Sequence, residues 1–198
     1  MLNIMINSIL LLFSMSVCVI AQGKEAGKEW KINLTPNDEN ISDAANLFIQ
    51  NTASLDELSN KEKAVLKRLK DLVSGNPAKL VPKNLLKLKK VRSIQITKHG
   101  VFNYPYFNCW FKQTDEGVIF KKTSGSQRKN GSIFQDKDTT LVFLGAWSVN
   151  DDATLTYSGF KGLNDTSRDS AGLIIKRGDS FLSIFPKKEN TFEIYEFK

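Results

Sequence analysis

A chain of 198 residues with 41% hydrophobic and 25% charged side chains has the make-up of a globular protein and excludes a disordered or low-complexity one. Two cysteines and one histidine exclude a disulfide-stapled scaffold and give no ligand set for a transition metal, so neither metal nor cofactor is expected. The net charge of +7 is concentrated: eight basic residues and no acid fall between Leu72 and Thr114, whereas eight oppose nine acids before that stretch and twelve oppose twelve after it.

The first 23 residues carry no charged side chain. Ile9 to Ile20 is an unbroken run of apolar and small residues ending at Val19-Ile20-Ala21, an exit that a signal peptidase accepts. It predicts a signal peptide over 1–21 and a periplasmic or secreted product. The run is shorter than the roughly 20 apolar residues of a spanning helix, which weighs against a retained anchor. Val17 is too bulky a neighbour for lipid attachment at Cys18. No second run of spanning length follows, so no transmembrane segment is expected after signal removal. Cleavage leaves Cys109 as the one cysteine, a pattern that fits a bacterial exported protein better than a small animal extracellular domain. The sequons at Asn33, Asn40, Asn130 and Asn164 matter only in a eukaryotic secretory route.

Residues 22–37 are polar, with Gly23, Gly27 and Pro36, and read as a flexible lead-in, within which Trp30, Ile32 and Leu34 alternate as a short edge strand would. A helical segment is expected over 38–90. It holds a short helix from Ser42 to about Asn51, then a second that starts at the capping box Ser59-Asn60-Lys61-Glu62. Val65, Leu66, Leu69, Leu72 and Val73 form the second helix's apolar stripe, which stops before Gly75 and Pro77. Asn84 to Lys90 reads as another helical turn.

From Val91 the period changes to two. Strands are expected at Val91–Thr97, Tyr104–Thr114, Val118–Lys122, Gly131–Gln135, Thr139–Val149, Gly172–Lys176, Ser180–Phe185 and Thr191–Phe197. The one from Thr139 is apolar on both faces, and the last has either a bulge or two buried faces. Residues 150–168 read as a long surface loop. The fold class is α+β: N-terminal helices, then an antiparallel β-meander of seven or eight strands over 91–198, closing into a barrel-like or sandwich body of lipocalin-like outline.

No catalytic motif stands out. His99 precedes Gly100 and reads as a turn residue, without a Gly-x-Ser-x-Gly elbow elsewhere. Cys109 alternates into an apolar face with Phe107 and Phe111 and reads as buried. The informative polar stretch is Thr123-Ser124-Gly125-Ser126-Gln127-Arg128. Ser126, Gln127 and Arg128 are candidates to bind a ligand, Arg128 gripping a carboxylate or phosphate; alternatively Arg128 clamps the sheet to the long loop through Asp165 or Asp169. Tyr157 and Asp169 join this candidate set. Lys83, Lys87, Lys89, Lys90 and Arg92 form a basic patch, either a solvated face or a contact for an anionic envelope component or a protein partner. Nucleic acid is not expected as a partner.

In order, Tyr104-Pro105-Tyr106-Phe107-Asn108-Cys109, Thr123 to Arg128, Leu144-Gly145-Ala146, Tyr157-Ser158-Gly159, Asp169 with Gly172, Phe185-Pro186 and Glu193-Ile194-Tyr195-Glu196 resemble a family of exported bacterial proteins designated domain of unknown function 4893. The resemblance spans about Val91 to Lys198. It implies export and the β region, and it lends no mechanism. It also implies that relatives hold a cysteine near the position of Ser93, able to pair with the one at Cys109; here Ser93 stands in its place. A weaker similarity links Ser124 to Arg128 with the Ser-Gly-x-x-Tyr loop of periplasmic lysozyme inhibitors, without the tyrosine; a basic inhibitor would also be repelled by a basic lysozyme. The expected function is a non-catalytic exported binding or envelope-accessory protein. The alternatives are an envelope-polymer hydrolase using Asp169 with Asp151 or Asp152, and an enzyme inhibitor.

Overall fold

The computed structural model describes residues 29–52, 58–150 and 152–198; the expected signal over 1–21, the lead-in before residue 29, and Asp151 lie outside the described residues. Helix α1 spans Ala44–Asn51 and α2 spans Asn60–Ser74. The capping box forms as its spacing dictates: Ser59 N–H donates to Glu62 Oε2 at 2.9 Å, and Glu62 N–H donates to Ser59 Oγ. Of the stripe, Leu66, Leu69 and Val73 are buried. Gly75 closes the helix in extended geometry, with its N–H on Leu72 O. The strand expected around Trp30 is instead a 3-10 helix, Glu29–Asn33. Trp30 is buried there while Ile32 is 84% exposed, so residues 29–37 are pinned to the body rather than loose. The helical turn expected from Asn84 is a 3-10 helix at Pro82–Leu85.

Nine strands follow: β1 (Lys90–Thr97), β2 (Gly100–Asn103), β3 (Phe107–Thr114), β4 (Gly117–Lys122), β5 (Gln127–Lys137), β6 (Thr140–Val149), β7 (Asp169–Arg177), β8 (Ser180–Pro186) and β9 (Phe192–Phe197). All pairings among them are antiparallel. β1 closes the ring on β9, from Val91↔Phe197 to Ile96↔Phe192, which makes an eight-stranded barrel. The ninth strand, β2, sits above β3 on the same edge of β1; the break between them is Tyr104-Pro105-Tyr106. It was not expected, because Gly100–Asn103 is too short to show a period. β9 is buried on both faces, in unbroken register and without a bulge.

Alternation divides the apolar residues into two cores. Inside the barrel lie Phe111, Phe120, Phe143, Phe181, Tyr195 and Phe197; Leu80, Leu85 and Leu88 plug one end. Gly131 and Gly145, paired across β5 and β6, leave room for the Phe143 ring, which stands about where their Cβ atoms would be. On the outer face, Ile94, Leu173, Leu182, Ile184 and Ile194 receive Phe48, Leu66 and Leu69 from the helices. α2 is latched from outside by Arg68, which donates twice to Glu196 at 2.8 and 3.0 Å; Arg92 donates to the same carboxylate. Among the described residues, no helix is long and apolar enough to cross a membrane.

Candidate functional site

The end opposite the plug is polar inside. Inward parity carries Lys122 beyond Val118 and Phe120 on β4, Lys129 before Gly131 and Ile133 on β5, and Glu193 before Tyr195 and Phe197 on β9. Lys129 is 4% exposed and Glu193 3%, so both charges sit in a dry environment. Lys129 Nζ lies 3.0 Å from Glu193 Oε2, Lys187 Nζ lies 3.3 Å from the same oxygen, and Ser93 Oγ donates to Oε1 at 2.7 Å. Lys122 Nζ donates to Gln127 O at 2.6 Å and lies 4.5 Å from the Phe107 ring centre.

Burial alone would raise the Glu193 carboxyl, but Lys129, Lys187 and Ser93 hold it down at about 2. Burial lowers the ammonium values of Lys122 and Lys129 against the pull of Glu193. Two lysines thus share one buried carboxylate with a third, Lys122, nearby, and the mouth carries an excess of positive charge.

Two of the hollows that reach this cluster open between strands. The first lies between β2 and the β4–β5 turn, lined by Ser93, Gln95, Tyr104, Phe107, Ser126 and Gln127. The second lies between β7 and β8. Their pairing stops at Leu173↔Ile184, although β7 continues along β6 to Asp169 and β8 along β9 to Pro186. The Phe185 ring occupies the space a Cβ on Gly172 would need, and Pro186 has no N–H to donate, so the strand ends part. The resulting cavity has a volume of about 430 Å³ and reaches Lys129 and Trp147.

The candidates read from the sequence distribute as follows. Ser126 and Gln127 line the first opening, and Arg128 lines a smaller hollow with Lys129, Lys187 and Glu193. Arg128 Nε donates to Gly125 O at 3.0 Å, within its own turn. Asp165 is occupied by Ser167, and Asp169 accepts from Ser158 N–H at 2.9 Å and Ser158 Oγ at 2.5 Å. Burial raises the Asp169 carboxyl, Ser158 lowers it, and Asp38 and Asp165 push it up again.

Tyr157 is buried as an anchor: its hydroxyl donates to Asp38 Oδ2 at 2.6 Å and accepts from Thr35 N–H at 3.1 Å. Burial is the first cause that raises its phenol well above the usual value. Asp152 caps Val149 N–H and lies 3.6 Å from Arg168, in a different hollow from Asp169. Ser124 Oγ accepts from Asn108 N–H at 2.7 Å, tying the inhibitor-like turn to the barrel.

The basic patch does not join the mouth. Lys83, Lys87, Lys89 and Lys90 surround the plugged end, where Lys87 covers Phe181 and Lys90 donates to Asn108 Oδ1. Arg92 is committed to Glu196. Cys109 is buried, and that burial pushes its thiol up to about 12. Cys109 N–H bonds Lys89 O, four residues along β1 from Ser93. At strand rise that is about 13 Å, so a cysteine at position 93 could not reach Cys109 here.

Lys122, Lys129, Glu193 and Ser93 were not among the sequence candidates for binding. The signal for them is parity: each continues an inward-facing apolar alternation with a charged or hydroxyl side chain.

A closed antiparallel barrel with helices on its outer face, a plug at one end and a cationic mouth at the other defines a small-barrel protein. The chain belongs to the family described as Domain of unknown function (DUF4893), whose profile matches residues 30–197. No curated protein and no solved structure matches it.

Proposed function

We propose that this is a non-catalytic binding protein that works outside the cytoplasm and takes a small anionic ligand in its barrel mouth. One observation carries the ligand's charge: Lys122 and Lys129 are buried beside a single buried carboxylate, Glu193, which Lys187 also engages. A buried ammonium without full compensation is costly, and an anion entering the mouth supplies the missing charge. Export rests on the uncharged N-terminal run that ends at Ala21. Asp169 and Asp152 line different hollows, which favours recognition over hydrolysis by that pair.

The test is native mass spectrometry of protein recovered from its own cells, with titration of small carboxylates and phosphate. The expected result is an anionic adduct that weakens with salt and is lost in Lys122→Met and Lys187→Ala. Folded wild-type protein that carries no adduct and binds none of these anions overturns the proposal.

A further inference from the structure

We propose that the opening between β7 and β8 takes a sugar acid: a polyhydroxylated ring bearing one carboxylate. This rests on the anion-binding reading above and specifies what else the ligand must carry. The cavity of about 430 Å³ has two chemically different sides. On one stand the cations Lys129, Lys187 and Lys188; on the other stand Asp38 and Asp169, with Asn37 between them and the solvent.

A compact anion such as phosphate cannot satisfy both sides, because the two carboxylates repel it. A plain fatty acid would lay CH2 groups against the hydroxyl-, amide- and carboxylate-bearing wall and offer it no hydrogen bond. Asp38 receives the hydroxyls of Tyr157 and Thr35, and Asp169 receives Ser158. A carboxylate has about four acceptor sites, so each retains capacity for a ligand hydroxyl. Trp147 and Pro186 offer apolar surface to the C–H side of a sugar ring. The ligand's carboxylate then lies toward Lys187 and Lys129, and its hydroxyls toward Asp38, Asp169 and Asn37.

The experiment is calorimetric titration of the full-length processed protein with glucuronate, glucose, acetate and β-alanine. Glucuronate is expected to bind at least tenfold more tightly than each of the other three. Asn37→Ala and Lys188→Ala alter exposed side chains and leave the fold intact. The first is expected to weaken glucuronate several-fold without changing acetate, and the second to weaken both. Asp169→Asn is expected to weaken glucuronate further, with its melting temperature recorded because Asp169 also holds Ser158. Methyl glucuronide separates two sources of the same chemistry: retained affinity indicates the acidic end of a glycan chain, and lost affinity a free sugar acid.

Equal binding of acetate and glucuronate, with Asn37→Ala indifferent, overturns the sugar while leaving the anion site standing. Preference for β-alanine overturns it in favour of a zwitterion. Absence of any binding at millimolar ligand overturns both readings.

Discussion

At the scale of single residues, Glu193 is where the charges of the barrel mouth converge. It is nearly fully buried, and three donors converge on it. Removing its charge leaves Lys129 buried without a partner, so Glu193→Gln is expected to cost about 3–5 kcal/mol in urea denaturation. Lys129→Met should cost distinctly less, since Lys187 and Ser93 still engage the carboxylate. Equal costs would show that Lys187 and Ser93 do not sustain the carboxylate once Lys129 is gone.

The pH dependence has a definite sign. The Glu193 carboxyl is held at about 2 in the folded chain, against the ordinary glutamate value of 4.5 that applies when unfolded. Its contribution is complete above about pH 4.5 and is lost as pH falls toward 2. The stability of the wild type should therefore drop through that window, and the drop should be shallower in Glu193→Gln. These residues were legible only by parity. Glu193 shares an inward face with Tyr195 and Phe197, yet a glutamate near a strand end reads as solvated until a lysine from β5 is known to lie beside it. That juxtaposition is made across the barrel interior by strands that do not pair, and depends on ring closure no local pattern specifies.

At the scale of elements, α2 shows what local sequence does specify. Its start is dictated by Ser59 and Glu62, and its buried face by the spacing of Leu66, Leu69 and Val73. Its place on the barrel is not. Glu62 also accepts from Val101 N–H at 3.0 Å, so the capping carboxylate docks β2 against the helix, and Gly100, at φ +143°, lets the turn come close. The bidentate pair of Arg68 with Glu196 ties the other side down.

Arg68 is part-exposed, so Arg68→Ala should cost only about 1 kcal/mol. Its effect should be local: hydrogen exchange is expected to quicken in α2 while the β6 and β7 amides keep their protection. Uniform loss of protection would show that the latch supports the barrel as a whole. The segment around Trp30 misled for a physical reason. Alternation over five residues suits a strand, but a 3-10 helix of the same length also buries one aromatic and exposes its second neighbour.

At the scale of the molecule, change of period at Val91 suggests a boundary between a helical segment and a β domain, and the packing gives that boundary a different meaning. The outer face of β1 and β7–β9 is apolar: Ile94, Ile96, Leu173, Ile175, Leu182, Ile184, Phe192 and Ile194 are all buried, and α1, α2 and the segment around Trp30 join them in one core. A barrel without its helices would expose this face to water, a patch of the kind that drives association. The helices without the barrel would have no surface for Phe48 and Leu69, and α1 at eight residues is too short to persist alone.

The two layers should therefore unfold together. Calorimetry of the protein is expected to give one transition with calorimetric and van't Hoff enthalpies in agreement. Phe48→Ala on the helical side and Phe120→Ala inside the barrel should each cost about 3–5 kcal/mol and shift that same transition. A chain beginning at Pro77 should bind hydrophobic dye or aggregate instead of giving a dispersed β-sheet NMR spectrum. If that shorter chain folds as a monomer and still binds an anion at its mouth, the helical layer is an accessory to the barrel, and its role must be sought at the β7–β8 opening, where Asn37 and Asp38 stand.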